Sequence, residues 1–360
     1  MPLRPLVGHR EARRRLAQAV AADRLPQVLL ISGPEGVGKQ RLGLWLAQLL
    51  LCERPGEEPC GTCRQCAAVL NLRHPDLHWL VPIPRPKAGD ADKQAEEAAE
   101  ALAGVMEERR AEPLYGPVDG MASHGIASVR VLQRAAALTS VEGGRRVFII
   151  GDAERLVPQE SSEVGANALL KLLEEPPNRS VFVLTAVDAR RVLPTLRSRS
   201  APVRLNRLSD GEVRNFLSRE AGIPAGELDG RMAVAQGAIG AALGEAEGAG
   251  AAWRSAQAVF EAALGTRGAR MQRALAQAPY AARGEFTDLL DAMREMLSEA
   301  ARGALGGKQR RQVPATLTAR GPEALLRAAE RVNAARETAQ GNVNPQVLLA
   351  VLGEELAETL

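Results

Sequence analysis

The run from Gly33 to Lys39 carries the residues of this chain best suited to bind a phosphate. Gly33, Gly38 and Lys39 have the spacing G-x-x-x-x-G-K, in which backbone N–H groups surround a phosphate and the lysine ammonium reaches its outer oxygens. We take Gly33, Gly36, Gly38 and Lys39 as candidate phosphate ligands. In a working nucleotidase the next residue is a serine or threonine whose hydroxyl holds Mg²⁺, whereas here it is Gln40.

A second Mg²⁺ ligand is missing at the end of a downstream apolar run. Residues 147–150 have the composition of a buried strand, and in a working nucleotidase an aspartate that helps to hold Mg²⁺ ends that strand. Here Gly151 takes that place and Asp152 follows it. Because ligands are missing at both Gln40 and Gly151, we predict no useful ATP hydrolysis, while the glycines and lysine leave ATP or ADP binding open.

The cysteines form a candidate metal site. All four fall in one short segment, as Cys52, Cys60, Cys63 and Cys66. Four closely spaced thiolates suit tetrahedral Zn²⁺, and thiols kept reduced seldom pair as disulfides. Because four sulfurs leave no open position for water, we predict a structural zinc in a module at residues 52–66. Four unrelated buried thiols are the alternative, which the clustering disfavours.

Strand-like and helical segments alternate through the first half of the chain. This order predicts an α/β fold with a parallel sheet covered on both faces, in a domain that ends at residue 206. A small helical domain should follow at 207–250, and a helical bundle at 251–360. The predicted strands are 28–31, 77–81, 147–150, 181–187 and 202–205.

Residues 82–123 form an insertion longer than a sheet connection should be. Its apolar stripe of Ala95, Ala98, Leu102 and Val105 predicts a surface helix. The sequence gives no function for it.

Charge and composition permit nucleic-acid binding without establishing it. The 46 basic and 43 acidic side chains leave a net charge of +3. A helix predicted at 126–138 places Arg130 and Arg134 four residues apart, where they could meet DNA phosphates. An aromatic content of 3% disfavours base stacking. The sequence has no signal-peptide-like start and no run of membrane-spanning length, so we expect a cytoplasmic protein.

Four motifs, in this order, resemble the AAA+ clamp-loader subunits of bacterial DNA polymerase III, most closely the delta-prime type. The resemblance implies that the three domains are an AAA+ domain, a lid and an oligomerising collar. It implies gamma/tau and delta subunits, the sliding clamp and primed DNA as partners, and a location at the nucleoid. The motifs are CGTCRQC at 60–66, HPDL at 74–77, NALLKLLEEPP at 167–177 and LPTLRSRS at 193–200.

The resemblance also gives a role to Arg199. Ser198, Arg199 and Ser200 stand where the family's Ser-Arg-Cys motif presents an arginine finger to a neighbouring subunit's ATP. A planar, permanently charged guanidinium suits a γ-phosphate. Two sensor positions depart from the family's motors: Thr185 is shifted along its strand, and Gly240 replaces a phosphate-sensing arginine.

We therefore expect a stator subunit that helps to load the clamp and has no ATPase activity of its own, within a DNA polymerase holoenzyme. Two alternatives remain. An active gamma/tau-type ATPase motor is opposed by Gln40 and Gly151. A zinc-ribbon protein that binds nucleic acid through residues 52–66 is opposed by three acidic residues around the cysteines, Glu53, Glu57 and Glu58.

Overall fold

A five-stranded, wholly parallel sheet organises the first half of the chain in this computed structural model. Its strands are β1 (Val28–Ser32), β2 (Leu77–Leu80), β3 (Arg146–Ile150), β4 (Ser180–Ala186) and β5 (Ala201–Arg204), in the spatial order β2-β3-β4-β1-β5. The structure describes residues 3–4, 6–87, 89–112, 122–142, 144–156, 163–243, 246–279, 285–307, 309, 313–339 and 343–360.

The composition of the central strands accounts for their place in the sheet. Every residue of β3 and of β4 is buried, so helices or loops cover both faces of the sheet there. His78, Phe148 and Phe182 lie side by side on β2, β3 and β4, with adjacent ring centroids 4.8 Å apart. The predicted α/β fold with a parallel sheet is confirmed.

Helices connect these strands. α2 packs against β1, β3 and β4, α5 packs against β2, and α4 lies along α5. Two short 3-10 turns follow β3 and β4, at Ala153–Arg155 and Ala189–Arg191. The helices up to β5 are α1 (Arg10–Ala21), α2 (Lys39–Leu51), α3 (Arg64–Leu70), α4 (Ala91–Ala111), α5 (Ile126–Ala137), α6 (Glu163–Glu174) and α7 (Pro194–Ser198).

The insertion forms the helix that its apolar stripe predicts. Asp90 caps the start of α4 by accepting a hydrogen bond from the backbone N–H of Asp92 at 2.9 Å. Ala95, Ala98 and Leu102 are buried, and Val105 is half-buried. Residues 113–121 of the insertion lie outside the described residues.

Three short helices follow the sheet: α8 (Asp210–Arg219), α9 (Ala225–Ala235) and α10 (Ile239–Leu243). Ser209 and Glu212 form a reciprocal capping box at the start of α8. These helices share a small apolar cluster that includes Val213, Phe216 and Leu217. We call α8 to α10 the lid helices.

A second unit is entirely helical in its described residues. The chain divides into compact units at residues 1–243 and 244–360, and the finer division into three domains stays a prediction. The second unit has its own core, with Phe260, Phe286 and Met293 at its centre. No described helix is both long enough and apolar enough to cross a membrane. The helices of this unit are α11 (Ala246–Ala263), α12 (Arg267–Leu275), α13 (Glu285–Ala304), α14 (Ala315–Thr318), α15 (Pro322–Thr338) and α16 (Pro345–Thr359).

Candidate functional site

The phosphate loop lies between β1 and α2, as its sequence context predicts. Gly36 and Gly38 have φ values of +71° and +99°, which glycine adopts without strain. The loop also touches the lid helices: the backbone N–H of Gly240 donates to the Gly36 carbonyl at 2.9 Å. A Cβ at Gly240 would lie 2.7 Å from the Gly36 Cα, so a side chain in the family's sensor position would collide with the loop.

Lys39 begins α2 and turns back into its own loop. Its Nζ donates to the Pro34 carbonyl at 2.9 Å, and its side chain is buried. Burial lowers the pKa of Lys39 below its ordinary value, while the carboxylates of Asp152, Glu154 and Glu35 oppose this shift. These acids therefore provide the counter-charge for the buried ammonium.

The two positions that lack Mg²⁺ ligands, Gln40 and Gly151, lie against each other. A Cβ at Gly151 would lie 2.7 Å from Nε2 of Gln40, so the amide fills the space that an acidic side chain at this position would take. Gln40 Nε2 also donates to Asp152 Oδ1 at 3.4 Å. A neutral amide that already donates to the nearest carboxylate is a poor partner for a hard cation that prefers anionic oxygens. These residues do not fit Mg²⁺.

Thr185 and Glu154 are two polar residues near the loop that bind the backbone around it. The hydroxyl of buried Thr185 accepts a hydrogen bond from the backbone N–H of Asp152 at 3.1 Å. Glu154 accepts from the backbone N–H of Val187 at 2.8 Å, and burial raises its pKa above the ordinary value. Both side chains therefore fix the backbone that follows β3 and β4.

The four cysteines converge as predicted. Their sulfur atoms all lie within 4.8 Å of one another, and Cys52, Cys63 and Cys66 are buried. Gly61, at φ +73°, makes the turn between two of them. The spacing and the donor set fit a tetrahedral cation bound by sulfur.

The thiols of this cluster differ in acidity. Backbone N–H groups of Thr62 and Cys63 lower the pKa of the Cys60 thiol to about 6. Burial instead raises the pKa of the Cys52 and Cys66 thiols. Because thiolates this close repel one another, a dipositive cation is what would hold them all ionised.

Arg199 lies just after α7, at a surface. Its Nη2 forms an ion pair with Glu174 Oε1 at 2.5 Å, and its Nη1 donates to the Thr195 carbonyl at 2.9 Å. The side chain is 36% exposed, so the guanidinium is accessible although it is oriented. Glu174 belongs to the leucine-rich motif on α6, so the ion pair joins two of the recognised motifs.

Arg130 and Arg134 face the insertion. Arg134 Nη2 contacts Asp92 Oδ1 at 2.6 Å, and Arg130 Nη1 donates to the Ala91 carbonyl at 3.3 Å. Both arginines thus reach the first turn of α4. The spacing of the two arginines within α5 gives no sign of these contacts, because Ala91 and Asp92 lie 39 and 42 positions away in the sequence.

Trp79 is a site residue that sequence reasoning missed. It lies buried on β2, and its indole N–H donates to Gln40 Oε1 at 3.1 Å. A polar-tipped aromatic at the end of a buried strand is the available signal, because an indole N–H inside a protein needs an acceptor.

Residues 8–209 match the protein family described as DNA polymerase III, delta subunit. The chain is 29% identical over 230 residues to the DNA polymerase III subunit delta' of Escherichia coli K12, covering 64% of this chain and 57% of that protein. It is 29% identical to the delta' subunit of Bacillus subtilis 168 over 184 residues, covering 51% and 43%.

Relatives named gamma/tau match as well. The gamma/tau subunit of Mycobacterium tuberculosis H37Rv is 29% identical over 216 residues, covering 59% of this chain and 30% of that protein. The chain thus spans only about a third to a little over half of these curated relatives. A solved gamma-subunit-related protein of Thermotoga maritima aligns with 98% of this chain and 99% of its own, at 15% identity and a TM-score of 0.40.

The family match covers more than half of the chain, including the phosphate loop, the four cysteines and Arg199. The chain therefore belongs to the family described as DNA polymerase III, delta subunit, and is a clamp-loader AAA+ protein of the delta-prime type.

Proposed function

We propose that this chain is the stator of a DNA polymerase III clamp loader. In this role it helps to load the sliding clamp onto primed DNA, together with gamma/tau and delta subunits, at the nucleoid in the cytoplasm. The observation that carries the proposal is the Gln40–Gly151 contact, which fills the Mg²⁺ position of the phosphate loop with a side chain of the protein itself. A gamma/tau-type motor needs that position for its metal.

Arg199 is the residue through which the stator is proposed to take part in ATP hydrolysis by a neighbouring subunit. An arginine finger stabilises charge on a transferring phosphoryl group, and it can act across a subunit interface. In the isolated chain the Glu174 carboxylate holds the guanidinium at the surface. The γ-phosphate of a neighbouring subunit's ATP would take over that ion pair.

The cysteine cluster is proposed to hold Zn²⁺ in a structural role. The loop between Cys52 and Cys60 is anchored independently of the metal, because Trp45 Nε1 on α2 donates to Glu58 Oε2 at 2.6 Å. A closed four-sulfur shell would join this loop to the start of α3. A site held this way supplies folding energy and no catalysis.

ATP turnover by the reconstituted loader tests the proposal, with only this subunit altered. Arg199→Ala should leave the complex assembled and lower DNA-stimulated turnover by a factor of up to about 10³. Arg199→Lys should rescue poorly, because an ammonium lacks the planar fork. Arg197→Ala, an exposed arginine two residues away on α7, is the matched control.

Unchanged turnover and unchanged clamp loading with Arg199→Ala would make this residue a surface charge. Substantial hydrolysis by the unmodified chain alone would instead place it with the motors.

A further inference from the structure

The side chain of Gln40 is held by its neighbours, and a series of contacts connects it to the insertion: Gln40 contacts Trp79, and Trp79 contacts Arg109 of α4. Its amide oxygen accepts the indole N–H of Trp79, and its amide nitrogen donates to Asp152. Both ends of the amide are therefore engaged. This orientation keeps the amide against Gly151.

The insertion helix covers the next member of the series. The guanidinium carbon of Arg109 lies 4.3 Å from the centroid of the Trp79 ring. Arg109 comes from the last turn of α4, and 4% of its surface is exposed. A guanidinium over an indole face is an attractive contact that strengthens as water is excluded. The indole that orients Gln40 is thus fixed by a residue of the insertion.

We propose that the insertion helix holds Gln40 as a fixed plug in the Mg²⁺ position of the phosphate loop. Arg109 positions Trp79, Trp79 orients the Gln40 amide, and the amide occupies the space left by Gly151. The loop then excludes the metal by occupancy as well as by lacking ligands. This inference rests on the same Gln40–Gly151 contact as the proposed function and deepens it, because it assigns the positioning of Gln40 to the insertion.

A Gln40 side chain that is held in place can be distinguished from a mobile one by its response to a substitution at residue 151. The end of a free glutamine moves at little cost, so a methyl group added at residue 151 would push it aside. A glutamine held by Trp79 and Asp152 cannot move without breaking hydrogen bonds. The loss of stability caused by Gly151→Ala therefore reports how firmly the Gln40 side chain is held.

Thermal unfolding of the full, zinc-replete chain measures that cost. We expect Gly151→Ala to lower the Tm by roughly 2–6 °C, as overpacking does in a unit of the size of residues 1–243. The same substitution should lower the Tm by less than half as much in a Trp79→Phe background, which keeps a ring beneath Arg109 but removes the indole donor. Gly151→Ala should likewise lower the Tm by a smaller amount in an Arg109→Leu background, which keeps apolar volume but removes the cation.

Arg110→Leu supplies the matched control. Arg110 is adjacent on α4 and donates to the Leu72 carbonyl at 3.2 Å, so its loss should leave the full cost of Gly151→Ala in place. A negligible cost in the unmodified chain, or an equal cost in every background, would overturn the proposal.

The exclusion of Mg²⁺ from the phosphate loop is measured in a separate experiment. Titration with a fluorescent ATP analogue, in buffers with and without millimolar Mg²⁺ and free of chelator, should show no strengthening by the metal in the unmodified chain. A tenfold or greater increase in affinity with Mg²⁺ would overturn the plug. An equal cost of Gly151→Ala in every background would overturn the link to the insertion and leave the stator role intact, whereas hydrolysis by the unmodified chain alone would overturn the stator role, so the two failures are distinguishable.

Discussion

Asp76 is the buried carboxylate on which the loop before β3 depends. It lies in the HPDL motif and accepts hydrogen bonds from the Ser140 hydroxyl at 3.0 Å and from the backbone N–H groups of Val141 and Glu142 at 2.9 and 3.1 Å. Only 1% of its surface is exposed. The motif therefore has a structural role in this chain, since Asp76 fixes residues 140–142, and Glu142 accepts a hydrogen bond from Gln65 Nε2 on α3 at 3.1 Å.

Asp76→Asn should lower the free energy of unfolding by about 1–3 kcal/mol, because an amide cannot accept all three hydrogen bonds and turns a buried NH₂ donor towards the same N–H groups. Urea denaturation checks this value. Asp23→Asn serves as the control: its ion pair with Arg145 is exposed, so its loss should cost less than about 1 kcal/mol. Equal costs for the two variants would contradict the role given to Asp76.

Gln40→Thr alone should not produce an ATPase. The substitution restores a hydroxyl, but Gly151 still lacks the carboxylate that helps to hold Mg²⁺. Phosphate release by the purified variant, with primed DNA present, should stay at the level of the unmodified chain. Measurable turnover would show that one ligand suffices.

The composition of the phosphate loop can be interpreted from the sequence, but its contacts cannot. The missing ligands at Gln40 and Gly151 follow from comparison with a working loop. Their mutual contact depends on how β3 aligns with α2, and neither segment encodes that register by itself. The same limit applies to Arg109, which lies about 70 positions from Gln40 in the sequence.

At the scale of elements, the strand-like apolar runs of the sequence predicted the ends of all five strands to within one residue. The central strands β1, β3 and β4 are largely apolar and buried along nearly their whole length, which leaves little freedom in where they lie. The edge strand β5 instead alternates half-buried and exposed residues. The end of α5 is different, because Arg146 caps it by donating to the Ala136 carbonyl at 2.9 Å and to the Leu138 carbonyl. That contact joins a residue of β3 to the end of α5, and nothing in the sequence near either element indicates it.

The cysteine cluster should retain one zinc per chain when the protein is purified under reducing conditions without chelator. Cys66→Ser should lose it, because three sulfurs cannot close a tetrahedral shell. Thr62→Ser, which keeps a hydroxyl between the ligands, should not. Elemental analysis of the three proteins decides, and a metal-free unmodified chain would refute the assignment.

The contact between α4 and α5 predicts competition with DNA. If Arg134 meets a phosphate, Asp92 must release it, so Asp92→Asn should raise the affinity of the assembled loader for primed DNA. Arg134→Ala should lower that affinity and reduce the salt slope by about 1. Fluorescence anisotropy across a salt series measures both.

Glu100→Gln removes the same charge from an exposed position about two turns further along α4, so it controls for a general electrostatic effect. If Glu100→Gln raises the affinity as much as Asp92→Asn does, the effect comes from net charge. If neither Arg130→Ala nor Arg134→Ala changes the affinity, α5 does not contact DNA.

At the scale of the whole molecule, the second unit carries exposed apolar side chains on two adjoining helices. α12 and α16 pack together, with Gln346 Nε2 donating to the Leu275 carbonyl at 3.0 Å. Exposed fractions are 47% for Met271, 62% for Leu275, 58% for Val347 and 52% for Val351. We propose that this unit is the oligomerising collar expected of a clamp-loader subunit.

Leu275→Glu and Val351→Glu should therefore leave the isolated chain folded and weaken its incorporation into the loader, because a charge in an apolar interface is costly. Leu305→Glu changes another exposed leucine of the same unit, 74% accessible, and is the control. Native mass spectrometry of the reconstituted complex gives the readout. Normal assembly by both test variants would place the interface elsewhere.

The order of strands in the sheet has a consequence for biosynthesis. β1 lies between β4 and β5, which are encoded about 150 and 170 residues later. At about 5–20 residues per second, β1 leaves the ribosome roughly 10–35 s before β5 is complete. During that interval the apolar segments of β1 and α2 lack the neighbours that bury them in the finished protein. A nascent chain of this protein should therefore depend on chaperones until residue 204 emerges.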